Sequence, residues 1–171
     1  MRAWLFGLVF LAGCLPVAVL RDPEPVRGVA FSVGGSLFPS LSPGSQYPVW
    51  ALPYVALAQG DGRWEWNLSL QWSLRLGGKV ALAEGFSLDG GLSLWPSGEG
   101  QRAFSADLGL LLGGGGWYLS PRGHLALDWD GNLGLAPQLS LGYRGEGWLL
   151  EVGYGPFSPY LAFGLRFQSV P

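Results

Sequence analysis

Trp64-Glu65-Trp66-Asn67-Leu68-Ser69-Leu70-Gln71-Trp72-Ser73-Leu74-Arg75-Leu76 places Trp or Leu at every even position and a polar residue at every odd one. Side chains on a β-strand alternate between two faces, so this stretch has one apolar wall and one polar wall. A helix would scatter the same Leu and Trp residues around its circumference. The segment also exceeds the ~9–11 residues that a tilted strand needs to cross a bilayer. The period predicts one strand over 64–76 and, at Gly77-Gly78, a tight hairpin.

The same two-residue period returns along the chain. From Val26 it puts Val29, Phe31, Val33 and Leu37 on one face. After the hairpin, Val80, Leu82, Phe86, Leu88, Leu92 and Leu94 lie opposite Ala81, Ala83, Gly85, Ser87, Asp89, Gly91 and Ser93. Phe104 to Leu112, Trp117 to Trp129 (interrupted at Ser120-Pro121-Arg122-Gly123), Leu133 to Tyr143, Trp148 to Tyr154 and Leu161 to Phe167 follow. Tyr47 to Gln59 has a weaker period, with Pro53 removing a ladder donor. Short turns between strands at this spacing predict an antiparallel up-and-down meander. Nine strands can be counted. A single-chain membrane barrel has an even number, which points to eight, or to ten if the segment around Pro121 is two strands. Either Tyr47 to Gln59 does not span, or the segment around Pro121 is two strands.

Composition decides which wall faces outward. Of 171 residues, 49% are hydrophobic and 13% charged, with 29 Gly and 9 Trp. A soluble domain carries about 25% charge and guards its strand edges with Lys, whereas Lys79 is the single lysine here. The polar faces are mostly Gly, Ala and Ser, which suit the crowded lumen of a narrow barrel. The charges falling there are Arg63, Arg75, Arg144 and Arg166 against Glu65, Asp89, Asp107, Asp128 and Glu151. Such a balance suits a low-dielectric interior, while an Arg on the lipid face near midplane would cost about 2–4 kcal/mol. Trp64, Trp66 and Trp95, with Phe104 nearby, are expected at one membrane level, and Trp117, Tyr143 and Trp148 at the other, as two aromatic girdles.

Residues 26–168 thus resemble a small bacterial outer-membrane β-barrel: all-β, antiparallel, transmembrane, with a filled or narrow lumen. The resemblance is one of pattern across the chain. It implies membrane lipid and the outer-membrane insertion machinery as partners. Such barrels usually finish on an aromatic residue, whereas Phe167 is followed by Gln168-Ser169-Val170-Pro171.

The N-terminus reads as an export address. Met1-Arg2 and the apolar run Ala3 to Ala12 have the form of a signal peptide over 1–13. Leu11-Ala12-Gly13-Cys14 resembles the bacterial lipobox, making Cys14 a candidate for lipidation. Residues 14–25, ending in Arg21-Asp22-Pro23-Glu24-Pro25, read as a short stiff tether, and 169–171 as a tail. The lone cysteine excludes an internal disulfide or a thiolate metal cluster.

Little chemistry is encoded. With net charge −2 there is no clustered basic groove for nucleic acid. Some outer-membrane barrels are lipid deacylases carrying His-x-Ser, but His124, the single His, precedes Leu125-Ala126. Asp128 lies about 13 Å along the same face, too far to orient its ring. A lumen or loop histidine is expected. Asp128-Trp129-Asp130-Gly131-Asn132 lacks the rest of a Ca²⁺ loop, and Gly113 to Gly116 lacks the Lys of a phosphate loop. Neither a cofactor, a metal, a small-molecule substrate nor an enzymatic activity is expected. The sequence favours a structural or envelope-interaction barrel. The alternatives are a narrow channel for small solutes and a lipid-anchored soluble barrel holding an apolar ligand.

Overall fold

The computed structural model describes residues 18, 20–39, 49–96, 102–127, 131–155 and 158–169. They form one closed antiparallel barrel of ten strands, in which each strand pairs with its sequence neighbours and the last pairs with the first. The strands are β1 (Arg27–Pro39), β2 (Val49–Asp61), β3 (Trp64–Leu70), β4 (Leu74–Ala83), β5 (Phe86–Pro96), β6 (Arg102–Gly114), β7 (Trp117–Leu127), β8 (Leu133–Gly145), β9 (Trp148–Tyr154) and β10 (Pro159–Ser169). Closure removes the unpaired edges that an open sheet would have to protect.

The ten strands replace the eight expected first and match the alternative of ten, and the extra strand lies in the stretch quoted first. Trp64 to Leu76 is not one strand: Gln71-Trp72-Ser73 turns the chain, and Leu70 pairs with Leu74. Gly77 and Gly78 make no hairpin. They lie inside β4, facing Asn67 and Trp66 on one side and Gly91 and Gly90 on the other. The actual hairpin from β4 to β5 is at Glu84-Gly85, with Gly85 at φ +67°. Both explanations offered for the odd count are overturned as well. Tyr47 to Gln59 supplies β2 from Val49, and Pro121 lies within an unbroken β7.

The prolines are absorbed where ladder bonds are not required. β3 ends at Leu70 opposite Val55, so the stretch of β2 that holds Pro53 pairs only with β1. At Pro121 the pairing of β6 with β7 skips from Gly109–Arg122 to Leu112–Leu119.

The two ends differ. One, the turn end, has the two-residue turns 62–63, 84–85, 115–116 and 146–147, the start of β1 and the end of β10. Gly115-Gly116, with φ of +61° and +89°, has the positive dihedrals that a tight hairpin needs. The other, the loop end, carries the connections between β1 and β2, β3 and β4, β5 and β6, β7 and β8, and β9 and β10.

Polarity is inverted relative to a soluble domain. Leu76, Leu92, Leu108, Leu133 and Leu135 are all more than half exposed on the outer wall, whereas Asn67, Arg75, Asp89, His124 and Glu151 are among the most buried side chains. The tether expected over 14–25 is not an external linker in its described part. Ala18, Leu20, Arg21, Asp22 and Val26 are buried within the barrel.

Candidate functional site

The site is the lumen, and strand register builds it. Glu65 pairs with Lys79, and Lys79 with Asp89, so three charges stand side by side on the inner face. One step along, Asn67, Gly77, Gly91 and Asp107 form a row. The two glycines leave a trough, and the Arg75 side chain lies across it. Its Nη1 donates to Asn67 Oδ1 at 3.1 Å, its Nε to Asp107 Oδ2 at 2.7 Å, and its Nη2 to Asp107 Oδ1 at 2.8 Å and Asp89 Oδ2 at 3.0 Å. Arg122, from β7, donates to the same carboxylates, reaching Asp89 at 2.5 Å and also Asp107. Two guanidiniums and two carboxylates thus interlock in the middle of the barrel. Buried charges of this kind are tolerable only when fully paired.

A second cluster lies toward the turn end and involves the N-terminal segment. Arg21 bridges Glu65 at 3.2 Å and Asp89 at 3.5 Å. Lys79 approaches Glu65 at 3.1 Å and Asp22 at 3.6 Å, and its Nζ donates to the carbonyls of Asp22 and Glu24. Arg144 contacts Asp22 and Glu24, each at 2.6 Å, and Arg166 reaches Asp22 at 3.2 Å. Three wall cations therefore converge on the Asp22 carboxylate.

On the opposite wall Glu151 accepts hydrogen bonds from Tyr118 at 3.0 Å and Tyr160 at 2.7 Å. Tyr160 accepts from Gln138 at 2.8 Å, and Gln138 Oε1 lies 2.7 Å from His124 Nε2. His124 is a lumen residue whose Nδ1 has no hydrogen-bond partner, so no carboxylate holds the ring in the orientation that a catalytic triad requires. Among the described residues no group of three or more His, Cys, Asp or Glu could hold a metal ion.

Six of the nine sequence-derived lumen charges are brought together in ion pairs, Glu65, Arg75, Asp89, Asp107, Arg144 and Arg166, and Glu151 lies in the lumen but is held by Tyr118 and Tyr160. Arg63 is a correction. It is exposed in the turn between β2 and β3, because β2 ends at Asp61 and turn residues follow no alternation. Asp128 and Cys14 lie outside the described residues. Lys79, Arg122, Arg21 and Asp22 were missed. Lys79 was hidden beside the supposed hairpin, and Arg122 by the interruption at Pro121.

The aromatic levels also change. Trp64 and Trp66 lie toward the turn end with Trp117, Tyr143 and Trp148, whereas Trp95 ends β5 at the loop end. The extra strand in 64–96 reverses the direction of β5. Along the turn end the rings form a contiguous row: Trp117 to Tyr143 at 4.9 Å, Tyr143 to Trp148 at 5.5 Å, and Trp148 to Phe163 at 6.4 Å between centroids.

No known protein family matches the chain, and no curated protein matches it.

Proposed function

We propose that this chain is an integral outer-membrane β-barrel with a structural or envelope-interaction role and a lumen filled by its own side chains and N-terminal segment. One observation carries the reading: a continuous exposed Leu, Val and Trp surface surrounds a buried, internally paired set of charges. Exposed apolar patches beyond a few hundred Å² mark binding or membrane surfaces, and here every strand contributes. Even strand number, short turns at the end holding the start of β1 and the end of β10, and aromatic rings near strand ends agree with barrels of that class. On this reading Trp64, Trp66, Trp117, Tyr143 and Trp148 sit at one interface and Trp95 at the other. Lipid and the insertion machinery are the partners, export is directed by residues 1–13, and Cys14 is the lipidation candidate.

The interlocked ion pairs favour a closed lumen over the narrow channel, and a His124 ring held by Gln138 rather than by a carboxylate favours a non-enzymatic role. Unheated SDS electrophoresis tests the reading: a folded membrane barrel resists SDS and shifts mobility on boiling. Release of the chain from membranes by carbonate, after removal of any acyl anchor, would instead support the soluble ligand-carrying barrel.

A further inference from the structure

The segment of Ala18 and Leu20 to Val26 joins no strand, yet it occupies the lumen. From Val26 at the turn end it runs inward to Ala18, whose amide donates to Gln71 Oε1 in the loop between β3 and β4 at 3.2 Å. It is held by side chains. Lys79 and Ser87 donate to its carbonyls, and Arg21 and Asp22 are anchored by ion pairs. Leu20 has φ +48°, the one non-glycine residue with positive φ among the described residues. Such backbone strain persists only where surrounding contacts impose it, and it gathers in switching segments.

We propose that this segment is a tethered plug latched by Asp22, and that its displacement opens an anion-conducting path. The inference deepens the membrane-barrel reading above and rests on it. Two observations carry it. Around Leu20, Arg21 and Asp22 the lumen keeps a cavity of only about 30 Å³, the volume of about one water, so at this level the segment fills the space that the wall leaves. Without it, the described lumen wall holds Arg75, Lys79, Arg122, Arg144 and Arg166 against Glu65, Asp89, Asp107 and Glu151, five cations against four anions. The excess is concentrated where Asp22 sits, between Lys79, Arg144 and Arg166. Below it a mouth cavity of about 380 Å³, bordered by Glu24, Arg27, Arg144 and Arg166, opens at the turn end. An anion entering there meets the cations that Asp22 and Glu24 now occupy. Charge-assisted pairs of this kind are strong but exchangeable for another anion.

The test is planar-bilayer recording of the full refolded chain under a KCl gradient, comparing wild type with Asp22→Asn and Arg144→Gln. The second variant leaves Asp22 its contacts with Lys79 and Arg166, and it alters a rim side chain that is 35% exposed, so the barrel tolerates it. Wild type is expected to be closed almost throughout. Asp22→Asn should raise open probability about tenfold or more, as loss of one strong charge-assisted contact implies. Arg144→Gln should raise it less, and both should pass Cl⁻ over K⁺. Heat-modifiable variants that stay as silent as wild type, or that pass K⁺ over Cl⁻, would overturn the plug while leaving the membrane barrel standing. Loss of heat-modifiability in wild type itself would sink the membrane reading instead.

Discussion

Arg75 shows how much a single side chain depends on what its neighbours lack. Its guanidinium reaches Asp107 only because Gly77 and Gly91 have no Cβ. A Cβ on Gly91 would stand 2.6 Å from Arg75 Cζ and 2.7 Å from Nε. The guanidinium is pinned by Asp89 and Asp107 and cannot swing aside. Gly91→Ala is therefore expected to destabilise the barrel by about 1–3 kcal/mol, the usual cost of overpacking. Gly123→Ala, where nothing lies within 4 Å, should be neutral or raise stability by up to about 1 kcal/mol. Urea unfolding of the two variants in detergent, side by side, checks the contrast. Asp107→Asn removes the charge shared by Arg75 and Arg122 and leaves Asp89 to answer both. A loss of about 3 kcal/mol is expected by the same measurement. At this scale the sequence was legible wherever a charge sat on a regular strand, as Glu65, Asp89 and Glu151 do. It was illegible for Arg21 and Asp22, because a segment in no strand has no period to betray the direction of its side chains.

Elements were harder to delimit than faces, for a geometric reason. In an antiparallel pair such as Leu70 with Leu74 the two partner numbers add to an even total. Both strands then keep even residues outward, and the alternation runs through the turn without a break. The period told which wall each residue joins but could not reveal the bend at Gln71-Trp72-Ser73. The glycine pair at 77–78 looked like a turn, whereas Gly77, like Gly91, clears space inside for Arg75. Pro121 misled in the opposite sense: it interrupts the ladder between β6 and β7 but not the strand. Because an unmet backbone group in an apolar setting is costly, Pro121→Val should restore a ladder bond and stabilise by about 1 kcal/mol. A higher urea midpoint, with slower amide exchange at Leu110 and Leu111, is the expected result. An unchanged exchange rate would mean that the gap is satisfied in some other way.

For the molecule as a whole, the decisive property is that its apolar surface is outside and its charges are within. That inversion was readable from the smallness and weak charge of the polar face, since no water-exposed exterior is built from Gly, Ala and Ser alone. It can be probed by asking what an outward charge costs at two depths. Leu108 lies at the middle of β6 and is 59% exposed, and Leu133 begins β8 at the loop end and is 65% exposed. The two are similarly open, so local packing does not distinguish them. If hydrocarbon surrounds the barrel, Leu108→Arg must desolvate a guanidinium near the midplane and should cost about 2–4 kcal/mol, while Leu133→Arg near the interface should cost about 0–1. If water surrounds it, both are surface substitutions and should fall within about 0.5 kcal/mol of wild type. Unfolding free energies measured in lipid vesicles separate the cases: a steep difference between the two positions follows from a membrane exterior, and equal small effects would move the barrel out of the bilayer.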